Sequence, residues 1–176
     1  MIAATDHAVL AAFHHARTPF LDYFFSGLTW LGSLWLLLPV AFIAGSWLET
    51  AQTSLRGVSL RLAGMLLACA ALCSGLKWLA GRARPGLYEV LGSMPVDPAF
   101  PSAHSAQAMG MAFGLALLLP VELQHLSWLL IAVALLVGLS RLYLQVHWPS
   151  DVLAGWLIGA FCALVMFWLS PEALKK

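Results

Sequence analysis

The chain has 176 residues, of which 61% are hydrophobic and only 10% are charged, and its mean hydropathy is +0.87. Soluble domains carry about 25% charged residues, so this composition excludes a water-soluble globule and also a disordered or collagen-like chain. The net charge of +1 offers no basic surface for a nucleic acid partner. We therefore expect a single domain over residues 1–176 whose solvent is a lipid bilayer.

The chain begins with a segment that we expect to lie on the membrane surface. Residues 6–16 place three apolar side chains on one helical face, which are Val9, Leu10 and Phe13. Pro19 ends this segment, and Asp6 precedes every basic residue, unlike the start of a signal peptide. We interpret residues 1–31 as an N-terminal interfacial segment.

Five later stretches have the composition of membrane-spanning helices. A helix needs about 20 mainly apolar residues to cross the hydrocarbon core. The sparse charges bound five stretches, at roughly 33–48, 58–80, 102–120, 126–143 and 150–170. The second stretch includes Arg61 and Lys77 near its ends, where long side chains reach the interface. We predict an all-α polytopic membrane helix bundle of five or six transmembrane helices.

Glycine spacing offers a candidate surface for helix packing. Glycines recur four residues apart at Gly110 and Gly114 and again at Gly155 and Gly159. Such pairs let two membrane helices approach closely. Two chance pairs in a membrane protein that carries 14 glycines fit the pattern equally well.

Alternating spans sort the loops into two sets. The loop 81–101 and the turn 142–149 fall on one side, and the turns 49–57 and 121–125 fall on the other with the C-terminus. Three basic residues favour the second side as cytoplasmic, which are Arg56, Lys175 and Lys176. The first side would then face the outside.

Polar residues from four predicted helices converge on the first side. They are Lys77 at the end of the second helix, Arg84 before Pro85, Ser102 and His104 at the start of the third helix, Arg141 at the end of the fourth, and His147 and Asp151 around the start of the fifth. Ionisable groups at membrane depth are costly and indicate function. Three cations without a matching carboxylate cluster suit a phosphate, and the N-terminus of the third helix adds free backbone N–H groups.

Two histidines and an aspartate could act on such a phosphate. His147 and Asp151 share a face if the fifth helix begins near Trp148, so that Asp151 accepts a hydrogen bond from one ring nitrogen and leaves the other free to attack. His104 comes from another helix and could protonate the leaving oxygen on the opposite side of the phosphorus. The alternative for His147 and Asp151 is a structural hydrogen-bonded pair, since polar groups in membranes need partners.

The polar residues of this side form three short motifs with a spacing known from one protein family. The sequence reads Lys77-x6-Arg84-Pro85, then Pro101-Ser102-Ala103-His104, then Ser140-Arg141-x5-His147-x3-Asp151. It resembles the three-part signature of the type 2 phosphatidic acid phosphatase (PAP2) superfamily, in its membrane-bound bacterial lipid phosphatase branch, over residues 77–151. The resemblance implies His147 as nucleophile, Asp151 as its orienting group and His104 as proton donor. It also implies five phosphate-binding positions, which are Lys77, Arg84, Ser102, Ala103 and Arg141.

The same resemblance implies an activity and a location. It implies hydrolysis of a lipid phosphate or diphosphate through a phosphohistidine, without metal or cofactor, at the outer face of a bacterial inner membrane. Undecaprenyl diphosphate is the first substrate we consider, followed by phosphatidylglycerophosphate, phosphatidic acid and lipid A phosphates. A lipid phosphotransferase and a non-catalytic scaffold are the alternatives. The substrate lipid and the bilayer are the partners expected, and nothing in the sequence indicates an obligate protein partner. One departure is Ala103, which stands where the family usually has glycine.

The remaining polar residues fit structural roles. The histidines of the N-terminal segment fit its polar face, and these are His7, His14 and His15. Arg82 occupies an unspecified position of the first motif, where it could help to attract phosphate without a catalytic role. Glu89 and Asp97 lie in the long loop near the proposed site and could contact the substrate, but a solvated loop fits them better. No cluster has the spacing of zinc ligands, and Ser102 and His104 are two residues apart and do not face each other on a helix, which excludes a serine hydrolase pair.

Overall fold

The computed structural model describes residues 2–51 and 57–169, and these two ranges contain seven α-helices and no strand. The helices are α1 (Ile2–His15), α2 (Pro19–Leu28), α3 (Leu34–Ala51), α4 (Val58–Ala80), α5 (Ala103–Leu118), α6 (Ser127–Tyr143) and α7 (Pro149–Trp168). Short 3-10 turns precede α3 and α6, at Thr29–Gly32 and Val121–Leu126. All five helices predicted as spans are therefore present, each within a few residues of its predicted bounds. Arg56, Lys175 and Lys176, on which the predicted orientation rests, lie outside the described residues.

The number of spans differs from the prediction. Three segments are long and apolar enough to cross a membrane, which are Val58–Ala80, Val121–Tyr143 and Pro149–Trp168. A fourth is added if the pair Pro19–Gly32 and Leu34–Thr50, bent by 58°, counts as one broken span. The predicted count of five is not confirmed, because α5 has 16 residues and extends only about 24 Å.

Helix α5 instead forms the centre of the bundle. It packs against α3, α4, α6 and α7, and its alanine, glycine and serine residues are buried on nearly all sides. A Cβ on Gly159 would lie 2.1 Å from Ala106 O, and one on Gly155 would lie 2.5 Å from Ser102 O. Gly155 and Gly159 therefore form a close-packing face of α7, as one of the two interpretations of their spacing predicts.

Helix α1 of the N-terminal segment packs at the end of the bundle where the three sequence motifs lie. Leu10 is fully buried and packs with Leu142 of α6 and Val152 of α7, with Val9 and Phe13 beside it. This is the apolar face that the sequence predicts. The residues 1–31 are more than one surface helix, however, because α2 and the first 3-10 turn follow α1.

The loop 81–101 and the turn before α7 meet at this same end. Arg84 Nη1 donates to Val146 O at 2.7 Å, and Trp148 Nε1 donates to Ala83 O at 2.9 Å. The two segments that the sequence placed on one side of the membrane are thus in direct contact.

Candidate active site

Two cations from α4 and the following loop meet at the carboxylate of Asp97. Lys77 Nζ lies 3.0 Å from Asp97 Oδ2, and Arg84 donates from Nη2 to Oδ1 at 2.7 Å and from Nε to the backbone oxygen of Asp97 at 2.8 Å. Lys77 also donates to Pro98 O at 2.5 Å. The loop folds back and places this carboxylate on both cations, while the Asp97 side chain stays 41% exposed. Asp97 is thus both solvated and close to the candidate site.

The charge of Asp97 follows from these contacts. Burial raises the pKa of the Asp97 carboxyl, but the hydrogen bonds from Lys77 and Arg84 outweigh burial and hold the pKa below its ordinary value. The carboxylate is therefore ionised at neutral pH. Lys77, Arg84 and Arg141 outnumber the carboxylate of Asp97, so this cluster carries a net positive charge that suits a phosphate.

Arg141 comes from the last turn of α6 and is buried. Its Nη1 donates to Thr29 Oγ1 at 2.6 Å, and its Nε has no hydrogen-bond partner among the residues that the structure describes. Beside it opens a chamber of about 390 Å³. Residues that line this chamber include Ser26, Thr29, Trp30, Ser93, His104 and Arg141. Arg141 is thus one of the residues that line the chamber, and its buried Nε–H is not paired within the described part of the chain.

The start of α5 has the geometry that the sequence predicts. Ser102 is the N-cap residue, wholly buried, and its Oγ accepts hydrogen bonds from Ser105 N at 3.4 Å and from Ser105 Oγ at 2.8 Å. Its backbone N–H donates to Asp151 O at 3.0 Å, which ties α5 to α7. Ala103 is the first residue of α5, and His104 follows on the chamber wall.

His147 lies in the turn between α6 and α7 with its side chain 3% exposed. Its Nε2 is 3.2 Å from Arg84 Nη1, and a guanidinium can only donate, so Nε2 accepts and the ring proton is assigned to Nδ1. Burial lowers the pKa of His147 well below its ordinary value, and the neighbouring cations, above all Arg141, lower it further. The ring is therefore neutral and carries its lone pair on the side of the cations.

A left-handed residue shapes the turn that presents His147. Gln145 has a φ of 62° and is 1% exposed. A non-glycine residue adopts this region only when its surroundings hold it there. Gln145 Nε2 donates to Leu10 O at 3.0 Å, so α1 supports the backbone of the turn.

Asp151 lies near His147 but does not bind it in the predicted manner. The distance from His147 Nδ1 to Asp151 Oδ2 is 3.5 Å, longer than an ordinary hydrogen bond. Oδ2 accepts instead from the Trp148 backbone N–H at 2.8 Å, because Asp151 lies in the first turn of α7 and caps it. The other oxygen, Oδ1, accepts from Arg82 Nη1 at 2.5 Å. The prediction of a direct His147–Asp151 hydrogen bond is therefore wrong for this structure.

Sequence reasoning gave Asp6 no place near this centre, and it treated Arg82 and Asp97 as secondary residues of the first motif and of the neighbouring loop. Arg82 and Asp6 are ion-paired at 2.8 Å, and Asp6 is 3% exposed. Weak signals were available in the sequence. Arg82 comes two residues before Arg84, and Asp6 is the one acidic residue of α1, whose other residues are apolar apart from Thr5 and the histidines.

His7 and His15 are exposed, as the polar face of α1 predicts, and two of the N-terminal histidines also make ring contacts. His7 stacks on Trp148 with ring centroids 5.3 Å apart, and His14 stacks on Tyr88 at 4.2 Å. Among the residues in the two described ranges, no group of three or more His, Cys, Asp or Glu side chains could hold a metal ion.

Comparison with known families gives one match over most of the chain. The profile described as the PAP2 superfamily matches residues 59–175. This range begins early in α4 and contains all three motifs quoted above.

Individual relatives and solved structures point the same way. The phosphatidylglycerophosphatase B of Bacillus subtilis is 30% identical over 175 residues, covering 96% of this chain and 82% of that protein. An undecaprenyl-diphosphatase of Sulfolobus acidocaldarius is 39% identical over 89 residues, 49% of this chain and 41% of that protein. Some matches, including this one, thus span less than half of the relative's own length. A crystal structure of a transmembrane PAP2 type phosphatidylglycerolphosphate phosphatase from Bacillus subtilis superimposes with a TM-score of 0.85 and 27% identity, covering 97% of this chain and 87% of that one.

Proposed function

Since the chain belongs to the PAP2 superfamily, we propose that this integral membrane protein is a lipid phosphatase in which His147 attacks the phosphorus of the substrate. One observation carries the proposal: a buried, neutral His147 directs Nε2 at Arg84, beside a cluster of cations with a net positive charge. The three motifs lie together at one end of the helix bundle, which suits a substrate whose tail stays in the bilayer and whose head group reaches the interface.

The first step forms a phosphoryl enzyme. His147 Nε2 attacks the phosphorus, the bond from phosphorus to the leaving oxygen breaks, and that oxygen takes a proton from His104. Lys77, Arg84 and Arg141 neutralise the charge on the equatorial oxygens of the phosphorus. Backbone N–H groups in the first turn of α5, which begins at Ser102 and Ala103, add hydrogen-bond donors. The lipid alcohol, or lipid phosphate, then departs into the membrane.

The second step regenerates the enzyme. Water gives a proton to His104 and attacks the phosphorus, and the bond from phosphorus to Nε2 breaks. Inorganic phosphate leaves, and His147 returns to its neutral form. During both steps the ring of His147 carries a positive charge while it is bonded to phosphorus, and the Asp151 carboxylate stabilises that charge. No residue of this scheme requires a metal ion.

We propose undecaprenyl diphosphate as the first lipid to test. The terminal phosphate of a diphosphate presents to the cations a group like that of a phosphate monoester. The Sulfolobus relative is named as an undecaprenyl-diphosphatase. The residues of the site would bind the phosphate and not the lipid tail. The choice of this lipid therefore rests on the name of the relative and not on a contact between the protein and the tail.

A second candidate is phosphatidylglycerophosphate. It is favoured by the Bacillus subtilis relative and structure, which match almost the whole chain. The chamber favours it as well, because the hydroxyl groups of Ser26, Thr29 and Ser93 line the space beside His104, where the leaving group would lie. Hydroxyls suit a glycerol group, whereas a second phosphate would share the cation Arg141 with the first.

We further propose that the site faces the outside of a bacterial inner membrane. Support comes from the basic residues Arg56, Lys175 and Lys176 of the sequence, which favour the opposite side as cytoplasmic. Release of inorganic phosphate without an added acceptor lipid would separate this hydrolase from a lipid phosphotransferase.

The decisive experiment measures phosphate release from purified lipids in detergent. The panel contains undecaprenyl diphosphate, phosphatidylglycerophosphate, phosphatidic acid and lipid A, with wild type beside His147→Ala. We expect wild-type turnover of at least one lipid, and a loss of at least about 10³-fold in the variant. A chelator should leave the rate unchanged, and vanadate should inhibit as a trigonal-bipyramidal mimic. Wild-type rates in a folded His147→Ala variant would remove the mechanism.

A further inference from the structure

We infer that Asp6 and Arg82 are positioning residues, and that the N-terminal helix α1 uses them to hold Asp151 in place beside His147. The inference rests on the proposed function, because it assigns a task to Asp151 in that reaction. It goes beyond the three motifs, since Asp6 lies outside them and Arg82 occupies an unspecified position in the first.

The contacts form a closed network around the start of α7. Arg82 Nη1 donates to Asp151 Oδ1 at 2.5 Å and to Ser150 Oγ at 2.8 Å, and Nη2 donates to Asp6 Oδ2 at 2.8 Å. Ser150 Oγ in turn donates to Asp6 Oδ2 at 2.7 Å. One guanidinium therefore joins two carboxylates that are 145 positions apart in the chain, as 151 − 6 gives.

Burial shows why both carboxylates need this cation. The side chains of Asp6 and Asp151 are 4% and 0% exposed, whereas that of Arg82 is 32% exposed. Two buried carboxylates without a cation between them would repel each other and lose their hydration. A planar guanidinium can bridge both in one geometry, which the single ammonium of a lysine cannot.

The charges of the network also leave Asp151 free to act on His147. Asp6 balances the charge of Arg82, so Arg82 can fix the position of Asp151 without cancelling its negative charge. With Oδ1 held by Arg82 and Oδ2 held by Trp148 N, the carboxylate cannot rotate, and Oδ2 stays on the side of His147 Nδ1. A shift of a few tenths of an ångström closes the 3.5 Å gap to a hydrogen bond when the ring becomes positive.

A second contact of α1 reinforces the same place. His7, the neighbour of Asp6, stacks on Trp148 with ring centroids 5.3 Å apart, and the Arg82 guanidinium lies 5.5 Å from the centre of that ring. Helix α1 thus contacts the residue just before α7 as well as the network, so that its placement and that of Asp151 are linked.

The test compares Asp6→Asn, Arg82→Gln and Arg82→Lys with wild type on whichever lipid the panel identifies. We expect kcat to fall at least about tenfold in Asp6→Asn and Arg82→Gln while KM stays within about twofold, because the phosphate-binding cations are untouched. Vanadate inhibition should keep its wild-type strength for the same reason. Arg82→Lys should recover part of kcat, since it keeps the charge and loses the bridging geometry.

The matched control is Arg17→Gln, which removes a cation from the same N-terminal segment. Arg17 Nη2 donates to Glu89 O at 2.7 Å and to Tyr143 O at 3.4 Å, and has no contact with Asp151. We expect this variant to lose thermal stability but to keep kcat. A Tm loss in Asp6→Asn and Arg82→Gln with wild-type kcat, or equal kcat losses in the control, would overturn the inference. So would Arg82→Lys that is no more active than Arg82→Gln.

The variant His147→Ala shows whether a negative result contradicts the positioning role alone or the proposed function as well. If this variant is inactive while Asp6→Asn and Arg82→Gln keep wild-type kcat, the positioning role is wrong and the proposed function stands. If His147→Ala keeps wild-type activity, the proposed function is wrong and the positioning role falls with it.

Discussion

The carboxylate of Asp97 accepts a hydrogen bond from Arg84 Nη2 at 2.7 Å, and its second oxygen lies 3.0 Å from Lys77 Nζ. An acidic residue therefore occupies the space between two of the three cations that would hold the phosphate. This arrangement keeps buried cations paired when no substrate is present, at the cost of competing with the substrate for them.

Removing that charge should strengthen phosphate binding. In Asp97→Asn the amide keeps the shape of the side chain but no longer competes as an anion. Two charges about 4 Å apart interact by about 1 kcal/mol even in water, so we expect inorganic phosphate to inhibit at a concentration about fivefold lower. The control is Glu89→Gln, which removes an exposed charge from the same loop. An unchanged inhibition constant in Asp97→Asn, or an equal change in Glu89→Gln, would contradict this prediction.

Thr29 should contribute to substrate binding through Arg141. Its hydroxyl accepts the hydrogen bond that holds the Arg141 guanidinium at 2.6 Å. Thr29→Val keeps the size of the side chain and removes the acceptor. A hydrogen bond to a charged group is worth roughly 1.5–3 kcal/mol, so we expect KM for the lipid to rise about tenfold. Thr50→Val is the control, because the Thr50 hydroxyl donates within its own helix, to Trp47 O at 2.8 Å. Equal KM values in wild type and Thr29→Val would show that Arg141 needs no such support.

Stability should depend on pH through His147. Its pKa in the folded protein lies well below the ordinary 6.5, because burial and the nearby cations Arg141, Arg84 and Lys77 disfavour the charged ring. The unfolded chain therefore takes up a proton below pH 6.5 that the folded protein does not, and stability falls as the pH drops below that value. The ion pairs of Asp97 behave differently, since its lowered pKa keeps their contribution until the pH falls below about 3.8.

This difference can be measured by thermal unfolding in detergent between pH 7.5 and 5.0. We expect the Tm of the wild type to fall over this range, and the Tm of His147→Gln to fall less. His125→Gln is the matched control, because His125 is exposed in the 3-10 turn before α6. Parallel pH profiles for the wild type and His147→Gln would contradict the neutral, buried state of this ring.

The contact between α5 and α7 should tolerate no side chain at Gly155. In Gly155→Ala the new Cβ would lie 2.5 Å from Ser102 O and 2.9 Å from Ser105 Cβ, so α5 must move away together with its N-cap. We expect a lower Tm and reduced phosphate release. Gly75→Ala on α4 is the control, because nothing lies within 4 Å of its added Cβ, and alanine favours a helix by about 1 kcal/mol over glycine. A Tm in Gly155→Ala equal to that of Gly75→Ala would contradict the close contact.

The sequence was sufficient to predict the five helices α3 to α7. In lipid every backbone polar group must be satisfied within its own helix, so apolar stretches bounded by charges predict helices closely, as α4 at Val58–Ala80 shows. The N-cap role of Ser102 is equally local, because the bond to Ser105 spans three residues. The number of membrane spans could not be predicted as well from the sequence, because α5 is short and its burial depends on the neighbouring helices.

The pairing of charges within the site was decided by the tertiary structure. The path of the loop 81–101 places Asp97 on Lys77 and Arg84, and no local pattern encodes that path. The network of Asp6, Arg82 and Ser150 joins residues 76 and 144 positions apart, which only the docking of α1 on α7 brings together. Residue types and spacing therefore determine which groups reach the membrane surface, whereas the packing of helices and loops decides which of those charges neutralise one another and which remain for a substrate.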